Sequence, residues 1–125
     1  MDNDQLKKIN YALIDTFLIA GDRSIELRRI GLKKEIKSDN TPVTNGDIEV
    51  NKILTEKIKN ITSDIPIVSE ESTTNKSNNN LNDFWLIDPI DGTHDYINNK
   101  DEFTLNASLI INKKPKLGII YAPAK

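Results

Sequence analysis

Two aspartates that follow an apolar run are the side chains best suited to chemistry. Asp88 and Asp91 belong to the segment DPIDGT at residues 88–93, directly after the apolar residues 84–87. We predict a strand over 84–87 that leads into a turn, across which the two carboxylates converge. The backbone carbonyl of Ile90 lies between them and is a further hard oxygen of the kind that Mg²⁺ accepts.

Three neighbouring residues shape this turn. Pro89 has no backbone N–H, so we expect the strand ladder to stop there. Gly92 allows a tight bend, and Thr93 lies where a short helix can begin, so that its hydroxyl and the nearby N–H groups face a phosphate or a nucleophilic water. An ordinary turn with capping residues has the same pattern, so both interpretations are open at this point.

A second acidic pair, Glu70 and Glu71, follows the short apolar run at residues 65–68, which we predict as a buried strand. The ends of neighbouring strands commonly share one edge of a sheet. Carboxylates ~4 Å apart repel by roughly 1 kcal/mol in water and roughly 4 kcal/mol at an effective dielectric of about 20, so a divalent cation is expected between them. The alternative for this pair is an exposed acidic loop end.

A further acid, Asp47, lies three residues after Thr44, which we predict as the N-cap of a helix. The helix dipole favours an acid in the first turn of a helix whatever the function of the protein. Asp47 is therefore open to a structural and a functional interpretation.

The composition narrows the class of protein. A length of 125 residues, with 37% hydrophobic and 29% charged residues, indicates one small globular domain. A net charge of −2 gives no reason to expect nucleic acid or an anionic membrane as partner. The absence of cysteine excludes disulfides and thiolate metal sites. The acidic N-terminus and the lack of a long apolar run argue against a secretory signal and a transmembrane segment, which favours the cytoplasm.

The elements that position these residues follow from hydrophobic periodicity. We predict a helix over residues 4–29, an extended segment over 33–37 and a second helix over 44–61. We also predict a strand over residues 103–111 and another over 116–121, joined by a turn at 112–115. The polar residues 72–80 are predicted to be a mobile surface loop. Helices followed by strands indicate an α+β or layered α/β fold.

Taken together, the segments resemble the motifs of the inositol monophosphatase superfamily. The segments PVTNGD at 42–47, VSEE at 68–71 and WLIDPIDGT at 85–93 stand in the same order and at similar spacing. The flanks are most similar to the 3'(2'),5'-bisphosphate nucleotidases of the CysQ type, in the segments KSDNTPVT at 37–44, EFTLNA at 102–107 and LGIIYAPA at 117–124. The resemblance implies the N-terminal portion of a sugar-phosphatase-like αβαβα fold, with two helices packed on a mainly antiparallel sheet.

The resemblance also implies roles for individual residues. The family's metal ligands match Glu70, Asp88, Asp91 and the carbonyl of Ile90. The pair that activates the attacking water matches Asp47 and Thr93, and the backbone of Gly92 and Thr93 matches the phosphate cradle. The implied reaction is hydrolysis of a phosphomonoester with two or more Mg²⁺ ions and inhibition by Li⁺. The implied substrate is 3'-phosphoadenosine 5'-phosphate, with an inositol monophosphate as the alternative.

The chain departs from the family pattern in two segments, at residues 45–46 and 94–96. Gly46 replaces the usual alanine, which we expect to loosen the start of the second helix by up to ~1 kcal/mol. Tyr96 stands where a phenylalanine is usual and can still pack as an aromatic ring. His94 is the only histidine, and we expect it to face solvent at a helix start, since the family uses no histidine there.

The family continues for about as many residues again after Lys125, with a further Trp-Asp motif and most of the substrate-recognising surface. We therefore expect residues 1–125 to be an N-terminal metal-binding α+β domain that hydrolyses its substrate poorly or not at all. An exposed apolar sheet edge would favour self-association. The rival hypothesis from a different class is a non-catalytic fragment that retains only metal binding or a protein contact.

Overall fold

The computed structural model describes residues 1–71 and 81–125, so the whole of the loop predicted at 72–80 lies outside the described residues. The helices are α1 (Asn3–Ile30), α2 (Asn45–Ile61) and α3 (Thr93–Ile97). The strands are β1 (Lys34–Ile36), β2 (Pro42–Thr44), β3 (Ile67–Ser69), β4 (Phe84–Asp91), β5 (Thr104–Ile111) and β6 (Lys114–Tyr121).

Both long helices begin at a capping box, in which a side chain before the helix and one in its first turn satisfy each other's backbone N–H groups. The Asp2 carboxylate accepts from the Gln5 N–H at 2.8 Å, and the Gln5 side chain accepts from the Asp2 N–H at 2.9 Å. Thr44 and Asp47 form the same arrangement at the start of α2. The two long helices and the cap at Thr44 are confirmed.

The main sheet has the strand order β3-β4-β5-β6, in which β3 and β4 are parallel and the other pairs are antiparallel. Strands β1 and β2 form a separate antiparallel pair. Helix α2 packs on β4, while α1 packs on α2 and β6. The core joins apolar residues of α1 and α2 to one face of β4 and β5, which includes Trp85, Ile87, Leu105, Ala107 and Leu109. The predicted pair of helices on a mainly antiparallel sheet is confirmed.

Strand β4 does not end at Pro89, so that prediction was wrong. Asp88 is paired with Asn106 and Asp91 with Thr104, with a register shift between the two pairs. Three residue steps on β4 thus span two steps on β5, which places one extra residue in β4. A β-bulge of this kind accommodates a proline, because the extra residue needs no ladder hydrogen bond.

The hairpin between β5 and β6 is tighter than predicted. The predicted link at 112–115 was too long, because Lys114 and Pro115 already belong to β6. Asn112 and Lys113 have positive φ angles of 52° and 64°, as in the two-residue turns whose twist matches paired strands. The Asn112 N–H donates to the Asp83 carboxylate at 2.8 Å, which ties the turn to the start of β4.

Strand β6 lies at the end of the described sheet, and Lys114 and Lys116 on it are exposed. Lysines on an edge strand oppose pairing with another chain. Self-association through this edge stays a prediction. Among the described residues, no helix has the length and apolar character needed to cross a membrane.

Gly92→Ala is expected to destabilise the protein by about 2 kcal/mol, since a side chain in left-handed backbone is strained. Gly92 has a φ of 87°, and an added methyl would lie 2.8 Å from the Glu102 carbonyl oxygen. The free energy of unfolding can be measured by urea titration. Gly118→Ala is the matched control, because its methyl would meet no atom within 4 Å. Equal losses in the two variants would contradict this account.

Candidate active site

The acidic ends of β3 and β4 border one cavity of about 290 Å³. In the parallel pair, Ser69 lies opposite Ile87, and the Glu70 N–H donates to the Ile87 carbonyl at 3.2 Å. This pairing delivers Glu70 and Asp88 to the same edge of the sheet. The cavity lining includes Glu70, Glu71, Asp88, Ile90, Asp91 and Thr93.

The bulge in β4 explains why both aspartates reach this cavity. Residues three apart on a regular strand point to opposite faces of the sheet. The extra residue between Asp88 and Asp91 restores them to one face, as their partners Asn106 and Thr104 are two apart. The convergence expected from a turn therefore comes from an irregular strand.

Asp88 lies in an excess of negative charge. Its partial burial, followed by the charges of Asp91, Glu70, Asp47 and Glu71, raises the pKa of its carboxyl from 3.8 to about 6. Burial and like charges both disfavour the ionised form of a carboxyl. A cation in the cavity would reverse this effect.

Asp47 is fully buried in the first turn of α2. Its Oδ2 accepts from the backbone N–H of Thr44 at 2.9 Å and from the Thr44 hydroxyl at 2.6 Å. Its Oδ1 lies 2.9 Å from the hydroxyl oxygen of Thr93, which is also 3.1 Å from the carbonyl oxygen of Ile90. Asp47 thus lies in the first turn of a helix, where the helix dipole favours an acid, and it also contacts Thr93 directly.

The short helix α3 begins at Thr93 as predicted. The Gly92 carbonyl accepts from the Tyr96 N–H at 2.9 Å, which closes the first turn. His94 lines the cavity and is exposed, in agreement with the expectation that it faces solvent.

The turn between β1 and β2 also borders the cavity, through residues for which no role was predicted from the sequence. Lys37, Asp39 and Thr41 belong to this lining. The Lys37 ammonium lies 3.7 Å from the Glu71 carboxylate, whose side chain is 10% exposed. Glu71 is therefore not the free acidic loop end that was the alternative. The sequence signal that could have indicated these residues is the segment at 37–44, which was noted only for its similarity to the CysQ-type nucleotidases.

The donor set suits a hard, hydrated cation. The carboxylates of Glu70, Asp88 and Asp91 and the carbonyl of Ile90 offer oxygen atoms only, all from residues that line the cavity. Within 1–71 and 81–125, no three acidic or histidine side chains are arranged to hold a metal ion by themselves. Mg²⁺ is usually bound through one or two carboxylates, with water and substrate phosphate completing its shell. The residues present fit such an ion better than a cation that needs a cage made wholly of protein.

Comparison with known proteins gives a family match over nearly the whole chain. Residues 2–125 match the inositol monophosphatase family. The chain is 42% identical over 91 residues to the 3'(2'),5'-bisphosphate nucleotidase CysQ of Haemophilus influenzae, a match covering 71% of this chain and 34% of that protein. It is 46% identical over 88 residues to the protein of that name from Buchnera aphidicola, covering 70% and 33%. The matched segments thus span about a third of these relatives.

Solved structures share the fold. CysQ from Bacteroides thetaiotaomicron superposes with a TM-score of 0.66 and 32% identity over 92% of this chain and 42% of its own. A staphylococcal inositol monophosphatase in a LiCl-soaked inhibitory complex gives a TM-score of 0.78 at 24% identity, covering 94% and 44%. An IMPase/NADP phosphatase complexed with Mg²⁺ and phosphate gives 0.79 at 23% identity, covering 95% and 45%.

Asp88→Asn is expected to stabilise the chelator-treated protein by roughly 1 kcal/mol at pH 8, a value discounted for solvent screening. Because the pKa of Asp88 in the folded protein, about 6, lies above its ordinary 3.8, native stability falls as the pH rises from about 4 through 6. The gain from the uncharged asparagine should therefore vanish toward pH 4. Thermal unfolding in EDTA across this range measures it.

The control for this experiment is Asp15→Asn, which removes an exposed carboxylate from α1. Its effect on stability should be small at every pH. A loss of stability in Asp88→Asn at pH 8 would contradict the account of mutual repulsion.

Proposed function

The chain belongs to the inositol monophosphatase family, and on this premise we propose that it is the metal-binding portion of a Mg²⁺-dependent phosphomonoester hydrolase. The observation that most supports the proposal is one cavity bordered by Glu70, Asp88 and Asp91, with Thr93 hydrogen-bonded to a buried Asp47 behind it. Residues 1–125 would form the N-terminal α+β domain of this hydrolase.

The ligands for the cations would be the carboxylates of Glu70, Asp88 and Asp91 and the carbonyl of Ile90. When bound, two or more Mg²⁺ ions would lower the pKa of a coordinated water and would offset the negative charge of the phosphoryl group. The Mg²⁺ and phosphate complex of one fold relative supports the choice of ion. The lithium complex of another supports the expectation that Li⁺ inhibits.

Thr93 and Asp47 would act on the attacking water. The Thr93 hydroxyl accepts a hydrogen bond from this water and donates its own proton toward Asp47 Oδ1, 2.9 Å away. The other oxygen of Asp47 is held by two donors of Thr44, so the carboxylate keeps its orientation as it accepts. The backbone around Gly92 and Thr93 would contact the phosphate. Direct attack by water requires no covalent intermediate.

The proposed substrate of the complete protein is 3'-phosphoadenosine 5'-phosphate, cleaved to AMP and phosphate. The two curated relatives above, named 3'(2'),5'-bisphosphate nucleotidase CysQ, support a nucleotide. The second candidate, an inositol monophosphate, keeps the same chemistry and is supported by a fold relative named as an inositol monophosphatase. Rates of phosphate release from the two compounds, compared with those of a full-length version, decide between them.

Saturating Mg²⁺ is expected to raise the melting temperature by several degrees, since a ligand at about 100 times its Kd stabilises the native state by about 2.7 kcal/mol. Asp91→Asn should abolish this shift, because it removes a charged oxygen ligand. Asp15→Asn is the control and should keep it. A full Mg²⁺ shift in Asp91→Asn would remove the proposed metal site.

Residues 1–125 alone are expected to release phosphate far more slowly than a complete CysQ assayed beside them. This chain superposes on 42% of the CysQ from Bacteroides thetaiotaomicron, so contacts made by the remainder of that structure have no counterpart in these residues. A rate equal to that of the complete relative would contradict this expectation. Mg²⁺ binding with no phosphate release from either substrate would favour the rival hypothesis of a non-catalytic fragment. The downstream coding sequence is a further test of that rival.

A further inference from the structure

Tyr96 joins the three helices at one point behind the site. It is fully buried in α3, three residues after Thr93. Its hydroxyl donates to the backbone carbonyl of Ser24 in α1 at 2.6 Å. Its ring lies directly against Gly46 in the first turn of α2, next to Asp47.

Gly46 and Tyr96 are complementary in shape. A methyl added at residue 46 would collide with the Tyr96 hydroxyl oxygen and lie 2.8 Å from ring atoms Cε2 and Cζ. The lack of a side chain at residue 46 therefore leaves the room that the hydroxyl occupies. The glycine that was expected only to loosen α2 allows this close contact, which ties the start of α2 to α3.

Helix α3 is also held from its far end. The Arg28 guanidinium of α1 donates to the Lys100 carbonyl at 2.6 Å and lies 5.5 Å from the centroid of the Tyr96 ring. The Tyr96 ring also packs on Phe103, with the centroids 4.8 Å apart. The position of α3 relative to α1 is thus set by several contacts around one side chain.

We propose that Tyr96 is a positioning residue for the pair formed by Asp47 and Thr93. These two side chains lie in the first turns of α2 and α3, so the separation of their oxygens depends on how the two helix starts are held together. Tyr96 belongs to α3, packs against Gly46 at the start of α2 and donates a hydrogen bond to Ser24 of α1, so it links both helix starts to α1. The activity part of this inference rests on the proposed function, whereas the geometric part does not.

The test compares Tyr96→Phe, Gly46→Ala and the double variant with the unaltered chain. The first readout is the methyl resonance of Thr93 in ¹³C NMR spectra, which reports on the surroundings of its hydroxyl and needs no activity. The second, made where the unaltered chain releases phosphate at a measurable rate, is this release resolved into kcat and KM. Misplacement of a catalytic group by about 1 Å lowers rates by up to about 100-fold, so kcat should fall with little change in KM.

Each single substitution is expected to shift the Thr93 resonance and to lower kcat by about tenfold. Gly46→Ala should have a smaller effect in the Tyr96→Phe background than beside Tyr96, because loss of the hydroxyl removes the closest of the three clashes, although the ring atoms 2.8 Å from the methyl remain. If Gly46→Ala fails to fold while the double variant folds, the same coupling is established. Additive effects, or a Thr93 resonance unchanged in every variant, would overturn the inference.

Thr62→Val is the matched control. It removes a buried hydroxyl that accepts from the Trp85 indole at 3.0 Å, at the opposite end of α2. Its loss of stability should leave the Thr93 resonance and kcat unchanged, whereas a shift equal to that of Tyr96→Phe would indicate only general loosening and overturn the inference. Absence of Mg²⁺ binding by the unaltered chain would count against the proposed function, whereas the resonances would still decide the role of Tyr96.

Discussion

The fully satisfied carboxylate of Asp47 is the interaction on which the rest of the site depends. A buried charge is stable only when its oxygens are paired, and here Thr44 and Thr93 supply the donors. The same group therefore caps one helix and fixes the first residue of another. Structural and chemical interpretations of this acid do not compete, because the geometry that stabilises the helix start also orients the hydroxyl facing the cavity.

The cavity beside this pair has the opposite character. Parallel pairing of β3 with β4 brings Glu70 and Asp88 to one sheet edge, and burial adds to their repulsion. Packing of the helices against the sheet stabilises an arrangement that is electrostatically unfavourable for its carboxylates. Such a conflict between local electrostatics and global packing is typical of functional sites, where the stability lost locally is offset elsewhere in the fold.

Much of this arrangement could be predicted from the sequence, because periodicity and capping are local properties. The helices, the cap at Thr44 and the shared edge of two strands follow from residues close together in the chain. The bulge at Pro89 and the pairing of Lys37 with Glu71 depend on contacts between distant segments. The contact between Gly46 and Tyr96 was not predicted for the same reason, since a propensity scale takes no account of a ring from a distant segment.

The irregularity in β4 makes chain length itself part of the site. Three residue steps from Asp88 to Asp91 span two steps of the partner strand, so both side chains emerge on one face. Loss of a single residue from this interval would leave every acid in the sequence yet turn one of them toward the core. Related sequences should therefore differ in the side chains between the two aspartates far more often than in the number of residues between them.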